Sequence, residues 1–277
     1  MRFSVSHETL YRYAKPVWLA SHVLRLNPRL EGVELLSREL LIEPAPTSRY
    51  ESADAFGNLL THVGFGGAAD VLRILSRFDL KLRAPAPLAA AEPPPLPWPP
   101  SLDPYLVEPH LDISVHAFAA RLAQEAGGSA TAFLALLNQT LYADIRHDIR
   151  DVGAARTPAE TLALGHGACR DVTVLFLAAC RSLGLPARFV SGYQAHAETP
   201  DGRRHLHAWA EARLPGAGWR GYDPTHGLAV TDGHVALCVA PGQAATMPVE
   251  GGYFGEYVAS TLSYDIRIET GPTRSIS

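Results

Sequence analysis

The sequence has no excess of basic residues and no long apolar run. Its formal net charge is −4, and Lys and Arg are interspersed with Asp and Glu. It therefore lacks the basic stripe that follows a nucleic-acid backbone. No segment approaches the roughly 20 apolar residues of a membrane-spanning helix, and the first residues lack the pattern of a secretion signal. We expect no nucleic-acid partner, no membrane partner and a cytoplasmic location.

Cysteine is also scarce. The chain has three cysteines, Cys169, Cys180 and Cys238, with no C-x-x-C pair among them. An odd number of widely spaced thiols is not a disulfide framework and is typical of a reducing compartment. Each thiol therefore needs its own explanation.

The hydrophobic period changes along the chain. Residues 1–84 contain short alternating stretches separated by turn signals, which predict a small antiparallel β-domain. Residues 85–105 are crowded with proline, which cannot donate ladder hydrogen bonds, and we interpret them as a linker. Residues 106–277 turn first to a helical period and then to strands. This order predicts an α+β protein in which the β-domain precedes a mixed second domain.

Capping signals predict helices in the second domain. Ser129 and Thr157 stand at N-cap positions, and Pro158 follows in a first turn. The apolar run after Cys169 is closed by Gly184, which predicts a buried helix. Cys169 is therefore predicted at a helix N-terminus, where unpaired N–H groups favour the thiolate form.

Two later strands supply partners for that thiol. In "HLHAWAEARL", His205, His207 and Trp209 alternate with small apolar residues and should share one face. Asp223 is expected at the end of the next strand, just before a proline. An imidazole beside the thiol would favour a thiolate–imidazolium pair, and a carboxylate would orient the ring. Cys169, His207 and Asp223 are therefore candidate catalytic residues.

Three motif blocks in this order resemble the core of the transglutaminase-like superfamily. They are "GACRD", "HAWAE" and "DPT", within a stretch from about 129 to 228. "YRYAKPV" and "DAFGN" are similarly like the N-terminal β-domain of bacterial members. The resemblance implies a papain-like catalytic domain over 106–277, with helices packed on an antiparallel sheet. It also implies that Cys169 is the nucleophile, His207 the general base and acid, and Asp223 the orienting carboxylate.

The chain departs from the bacterial pattern in two places. Residues 172–174 stand where members often have an aromatic residue and a histidine, and the region after Cys238 lacks a frequent G-R-D-Y stretch. In animal transglutaminases an upstream indole donates to the oxyanion, but no tryptophan lies between Trp98 and Cys169. We expect Tyr142 or a backbone amide to be the second donor, beside the N–H of Cys169.

Several neighbouring residues have a functional and a structural interpretation. Trp209 either lines the substrate cleft or packs in the core, and we expect it to line the cleft. His166 either contacts substrate beside the nucleophile or faces solvent from a loop. Asp171 either holds the loop before Cys169 or simply favours the helix dipole. Cys180 and Cys238 are expected to be inert packing thiols.

A metal site is the alternative for the histidines. His205 and His207 could be two ligands, with His226 or Asp223 as the third. Because the thiol and the carboxylate already fit a triad, we expect no metal and no cofactor.

The predicted reaction is acyl transfer through a thioester at an amide or peptide bond. With water as acceptor the protein is a cysteine peptidase or amidase, and with an amine it is a transglutaminase. A non-catalytic module that binds a peptide or protein is the alternative from another class. We expect a hydrolase whose substrate is a peptide, a protein or a small amide. The oligomeric state stays open.

Overall fold

The computed structural model describes residues 1–83, 92–108, 112–150, 153–195 and 203–271. Within them the strands are β1 (Arg2–Leu19), β2 (His22–Leu24), β3 (Val33–Glu43), β4 (Ser48–Ala53), β5 (Leu59–Gly64), β6 (Ala68–Leu82), β7 (Arg146–His147), β8 (His166–Gly167), β9 (Ala187–Gln194), β10 (His207–Leu214), β11 (Gly218–Asp223), β12 (Leu228–Ala229), β13 (His234–Ala240), β14 (Val249–Glu250), β15 (Tyr253–Phe254) and β16 (Ser260–Gly271). The α-helices are α1 (Ile113–Glu125), α2 (Ala130–Asp144), α3 (Pro158–Leu164) and α4 (Cys169–Arg181). None of these helices is long and apolar enough to cross a membrane.

Two antiparallel sheets form the first domain. One has the strand order β15-β1-β6-β3, with β16 also paired to β1, and the other has the order β14-β2-β5-β4. Buried and less buried side chains alternate along the first half of β1, which is the period-2 pattern of a strand with one face in a core. The expected antiparallel β-domain is confirmed.

The last strand of the chain returns to this first domain. β16 pairs antiparallel with β1 in a continuous register from Arg2↔Gly271 to Tyr13↔Ser260. The sheet of the first domain is therefore completed by residues that the sequence places with the second. The domain boundaries at 84 and 105 stay a prediction. Residues 85–91 of the proposed linker lie outside the described residues.

Helices and a five-stranded antiparallel sheet form the second domain, as expected. The sheet order is β12-β11-β10-β9-β13, and β10 packs against α4. The Ser129 side chain accepts a hydrogen bond from the N–H of Ala132, and Thr157 forms a capping box with Glu160. The predicted helix starts at Ser129 and Thr157 are therefore confirmed, because local capping chemistry fixes them.

The strand β10 begins two residues later than its alternating pattern indicates. It starts at His207, while His205 lies before the strand and its ring bonds the hydroxyl of Tyr264 on β16 at 2.6 Å. The ring is thus held by the first domain's sheet. The sequence "TPDGRR" between β9 and β10 predicts a hairpin turn, and its residues 199–202 lie outside the described part of the chain.

The five-stranded sheet of the second domain is covered on both faces. Ala208, Ala210 and Ala212 face the helices, and their small side chains form part of that core. On the other face Trp209 lies in a small cluster with Phe56 of the first domain. At the end of β9 Tyr193 packs into the core of the first domain, and its hydroxyl lies 2.8 Å from Nδ1 of His7. The two domains therefore bury a shared interface.

Hydrogen bonds from the motif "DAFGN" stabilise this interface. The Asn58 amide donates to the carbonyl of Val239 at 2.7 Å, and its oxygen accepts from the N–H of Val239 at 2.8 Å. Asp54 holds the turn by accepting from the N–H groups of Phe56 and Asn58 at 2.8 and 2.9 Å. The Asn58 side chain thus pairs with the backbone of β13 as a neighbouring strand would. This pairing satisfies its polar groups and explains a buried asparagine at this position.

Candidate active site

Cys169 lies at the first position of α4, as predicted. The helix N-terminus leaves its backbone N–H without an intrahelical acceptor, and that N–H points toward the start of the helix. Gly165 ends α3 with φ +64°, a left-handed conformation that turns the chain toward Cys169. The thiol is partly buried and lines a cavity.

Asp171 holds the loop that carries this thiol. Its carboxylate is fully buried and accepts from the N–H of Ala168, the N–H of Arg156 and Nη2 of Arg150, each at 2.8 Å. A Cβ at Gly167 would lie 2.9 Å from the Cβ of Asp171, so only glycine fits beside it. Of the two interpretations of Asp171, the structure supports the one in which it fixes the loop.

We expect Asp171→Ala to lower the free energy of unfolding by about 3 kcal/mol, because three donors lose a buried anionic acceptor. Urea denaturation measures this loss. Asp144→Ala is the matched control, since Asp144 is exposed at the end of α2 and should change stability by less than about 0.5 kcal/mol. A loss that small for Asp171→Ala would contradict the loop-holding role.

His207 connects the thiol to Asp223. It begins β10, whose neighbour β11 ends at Asp223, and Nε2 of His207 donates to Oδ2 of Asp223 at 2.8 Å. Nδ1 is then the ring nitrogen available to Cys169. The Cys169 sulfur is hydrogen-bonded to the His207 ring and to the N–H of Ala208. The three predicted residues therefore form one hydrogen-bonded chain in the order that a thiol triad requires.

The charges of this chain support a thiolate–imidazolium pair. Burial would raise the pKa of Cys169, but the hydrogen bond and charge of His207 outweigh it, so the pKa of this thiol lies below its ordinary value. Burial would likewise lower the pKa of His207, but the negative charge of Asp223 and its hydrogen bond raise that pKa. The pair can therefore hold its proton on the imidazole at neutral pH.

Asp223 is surrounded by more imidazoles than the triad needs. Its Oδ2 also accepts from Nδ1 of His226 and Nε2 of His234, both at 3.0 Å, while Oδ1 accepts from the N–H of Thr225 at 3.1 Å. Against the effect of burial, the charge of His207 and these hydrogen bonds hold the pKa of Asp223 well below its ordinary range. The carboxylate therefore stays ionised although it is fully buried.

Two further histidines near this site, His234 and His147, were not predicted from the sequence. His234 begins β13, and His147 ends the two-residue strand β7, which pairs with β8 just before Cys169. The ring centroids of His147 and His226 lie 6.2 Å apart. Neither residue belongs to a motif block, and a general abundance of histidine, 12 in the chain, is the signal that was available.

The thiol opens into a cavity of about 390 Å³ that both domains line. The second domain contributes Cys169, His207, His147 and His226, among others. The opposite wall comes from β1 and β16, with Thr9, Tyr11, Leu262, Tyr264 and Ile266. A volume in this range holds a small molecule or a few residues of a peptide.

Two expected substrate contacts need correction. Trp209 is 1% exposed and stacks behind His207 with ring centroids 6.3 Å apart, so it packs in the core and does not wall the cavity. Tyr142 is 54% exposed, and among the described residues it does not line the cavity. Its ring lies against Gly227, where a Cβ would approach it to 2.9 Å, so the proposed oxyanion role has no geometric support.

His166 lies beside the site and is connected to the cavity by its hydrogen bond to Asp148. Its Nδ1 hydrogen bonds to the carboxylate of Asp148, and Asp148 lines the cavity. The contact of His166 with substrate stays a prediction. The other two thiols are buried, and burial raises the pKa of Cys180 and raises that of Cys238 to about 12, as expected for packing thiols.

The structure changes the set of residues that could bind a metal ion. His207, Asp223 and His226 each offer one ligand atom, and these atoms lie within 4.8 Å of one another. Hydrogen bonds to Asp223 already join the same atoms. His205 is not part of this group within the described residues, because its ring bonds Tyr264. The expectation of no metal stays a prediction.

Comparisons with known proteins agree with this geometry. Residues 116–224 match the transglutaminase-like superfamily, and residues 3–81 match the bacterial transglutaminase-like N-terminal region. Uncharacterised proteins of Mycobacterium tuberculosis and Mycobacterium bovis are 27% identical over 294 residues, covering 98% of this chain and 93% of each relative.

One solved structure shares the whole architecture. It is a candidate cysteine protease from Cytophaga hutchinsonii, which superposes with a TM-score of 0.72 at 19% identity and covers 99% of this chain and 92% of its own. The periplasmic domain of TgpA from Pseudomonas aeruginosa matches with a TM-score of 0.40 at 18% identity, over 79% of this chain and 87% of its own. The family matches thus identify residues 116–224 as a transglutaminase-like core and residues 3–81 as the N-terminal region of its bacterial members.

Proposed function

We propose that the protein is a cysteine peptidase or amidase that cleaves amide bonds through a thioester on Cys169. The observation that carries the proposal is the hydrogen-bonded chain from the Cys169 sulfur through His207 to a buried, ionised Asp223, opening into a cavity. A packing thiol would need neither a cationic imidazole nor a carboxylate behind it.

The residues can perform each step without an added cofactor. The thiolate attacks the amide carbonyl carbon, a C–S bond forms, and the carbonyl electron pair moves to oxygen. The oxyanion collapses, the C–N bond breaks, and His207 transfers its Nδ1 proton to the leaving nitrogen. His207 then takes a proton from water, whose oxygen attacks the thioester and releases the acid, and the thiolate–imidazolium pair is restored.

The acceptor distinguishes a hydrolase from a transglutaminase. The candidate protease with the same fold favours water as the acceptor. The substrate class that fits the cavity is a peptide segment or a small amide. We retain the predictions of a cytoplasmic location, of no metal requirement and of no nucleic-acid partner.

The test measures thiol reactivity and acyl trapping together. At pH 7 we expect iodoacetamide to label Cys169 at least about tenfold faster than Cys180 or Cys238, because the thiolate is the nucleophile. In a separate sample with a free thiol, mass spectrometry should find an acyl adduct on Cys169 after incubation with a peptide library. An added amine that appears in the products would identify a transglutaminase, and a chelator should leave the rate unchanged.

Two results would overturn the proposal. Equally slow labelling of all three thiols would favour a non-catalytic binding module. An acyl adduct that forms equally in the Cys169→Ala variant would place the chemistry elsewhere in the molecule.

A further inference from the structure

We propose that the imidazole of His147 donates the second hydrogen bond to the oxyanion that forms when Cys169 attacks the substrate carbonyl. This inference rests on the proposed acyl transfer at Cys169. It assigns a catalytic residue that the motif blocks do not contain and fills the position for which Tyr142 is wrongly placed.

The backbone brings His147 beside the nucleophile. β7 and β8 form a parallel pair in which His147 is the partner of Gly167, two residues before Cys169. Paired strands lie about 5 Å apart, so the His147 side chain starts within one strand spacing of the loop that carries the thiol. His147 and Cys169 line the same cavity.

The ring of His147 is available to a substrate. Within the described residues neither of its nitrogens has a hydrogen-bond partner, whereas other polar groups near it are already used. Asp148, the next residue, bonds His166, and the guanidinium of Arg150 bonds Asp171 and the carbonyl of Ala154. A half-buried imidazole that lines the cavity without a partner is therefore a candidate donor to whatever enters it.

The charge state of His147 suits a donor. Burial, followed by the positive charges of His207 and His226, lowers the pKa of His147 to about 4, although Asp223 and Asp148 oppose this shift. A neutral imidazole still carries one N–H, and it does not compete with His207 for the catalytic proton. Neutral histidines serve as hydrogen-bond donors to developing oxyanions in other enzymes.

The backbone N–H of Cys169 provides the first donor, since the start of α4 leaves it without an intrahelical acceptor. An oxyanion on the substrate would then lie between this N–H and the His147 ring. Two such donors are the usual complement of an acyl-transfer site, and the loss of one costs about 10²- to 10³-fold in turnover.

The test compares two reactions of the same thiol. Iodoacetamide alkylates the thiolate by displacement and forms no oxyanion, whereas p-nitrophenyl acetate acylates it through one. We expect His147→Phe to slow acylation of Cys169 by about 10²-fold and to leave its alkylation rate within twofold of the parent. His147→Gln, which restores an N–H donor, should recover most of the acylation rate. His116→Phe, on the exposed face of α1, is the control and should change neither rate.

Every outcome decides the proposal. His147→Phe acylating as fast as the parent would remove His147 from the oxyanion site while leaving the thiol enzyme in place. Equal slowing of both reactions would assign His147 to the ionisation of Cys169, and slowing of the deacylation step alone would assign it to the attacking water. A parent protein in which p-nitrophenyl acetate leaves no acyl group on Cys169 would overturn the acyl-transfer proposal itself.

Discussion

Replacing Cys169 with alanine should reduce amide hydrolysis by at least about 10⁴-fold. The thiolate is the atom that forms the covalent bond, and neither His207 nor water can take its place in the same geometry. The fold should persist, because the Asp171 contacts that fix the loop do not involve the Cys169 side chain. Steady-state hydrolysis of a peptide selected from the library, with circular dichroism as a check of folding, measures the effect.

The other two cysteines provide the matched controls. Cys180→Ala and Cys238→Ala remove buried thiols, one on α4 and one on β13. Each should lower the free energy of unfolding by about 1 kcal/mol and leave turnover within about twofold of the parent. A Cys169→Ala protein that keeps more than a tenth of the parent activity would contradict the nucleophile role.

Local signals predicted the elements that carry the candidate triad. The Cys169 helix follows from a glycine-rich approach and an apolar run, and the caps at Ser129 and Thr157 follow from short-range hydrogen bonds. The alternation along β10 correctly placed Ala208 and Ala210 on the face opposite Trp209, and the structure shows that their face packs against the helices. These features depend on residues within a few positions of each other, so they can be predicted from the sequence alone.

The surroundings of Asp223 could not be predicted in this way. Its hydrogen-bond donors His207, His226 and His234 come from β10, from the turn after β11 and from β13. Their convergence depends on the order of strands in the sheet, which pattern alone does not give. Trp209 shows the same limit, because alternation placed it on the face of His207 but could not show that the first domain buries that face.

The wall of the cavity opposite the thiol is likewise non-local. Tyr264 and Ile266 reach it because β16 pairs with β1, near the other end of the chain. The proposed catalytic groups therefore come from the second domain, while much of the surface that a substrate would meet comes from the first. Substrate selectivity and the chemical step should respond to different sets of substitutions.

Asp223→Asn should lower turnover by about 10³- to 10⁴-fold, because an amide keeps the shape of the carboxylate but removes its charge. The negative charge of Asp223 is what raises the pKa of His207. Without it the pKa of His207 falls, less imidazolium stands beside the thiol, and the pKa of Cys169 rises. The rate of iodoacetamide labelling of Cys169 against pH should therefore shift toward higher pH, and labelling at pH 6 should slow most.

The two other histidines bonded to Asp223 allow this effect to be separated from simple damage to the fold. His226→Phe and His234→Phe each remove one donor to Asp223 but leave its charge, so the labelling profile should move much less than in Asp223→Asn. Asp232→Asn, at a 46% exposed carboxylate before β13, should leave the profile unchanged. If Asp223→Asn labels with the parent's pH profile, the carboxylate is not coupled to the thiol and the triad is not a working unit. If His234→Phe shifts the profile as far as Asp223→Asn, the hydrogen bonds to Asp223, and not its charge alone, maintain the ion pair.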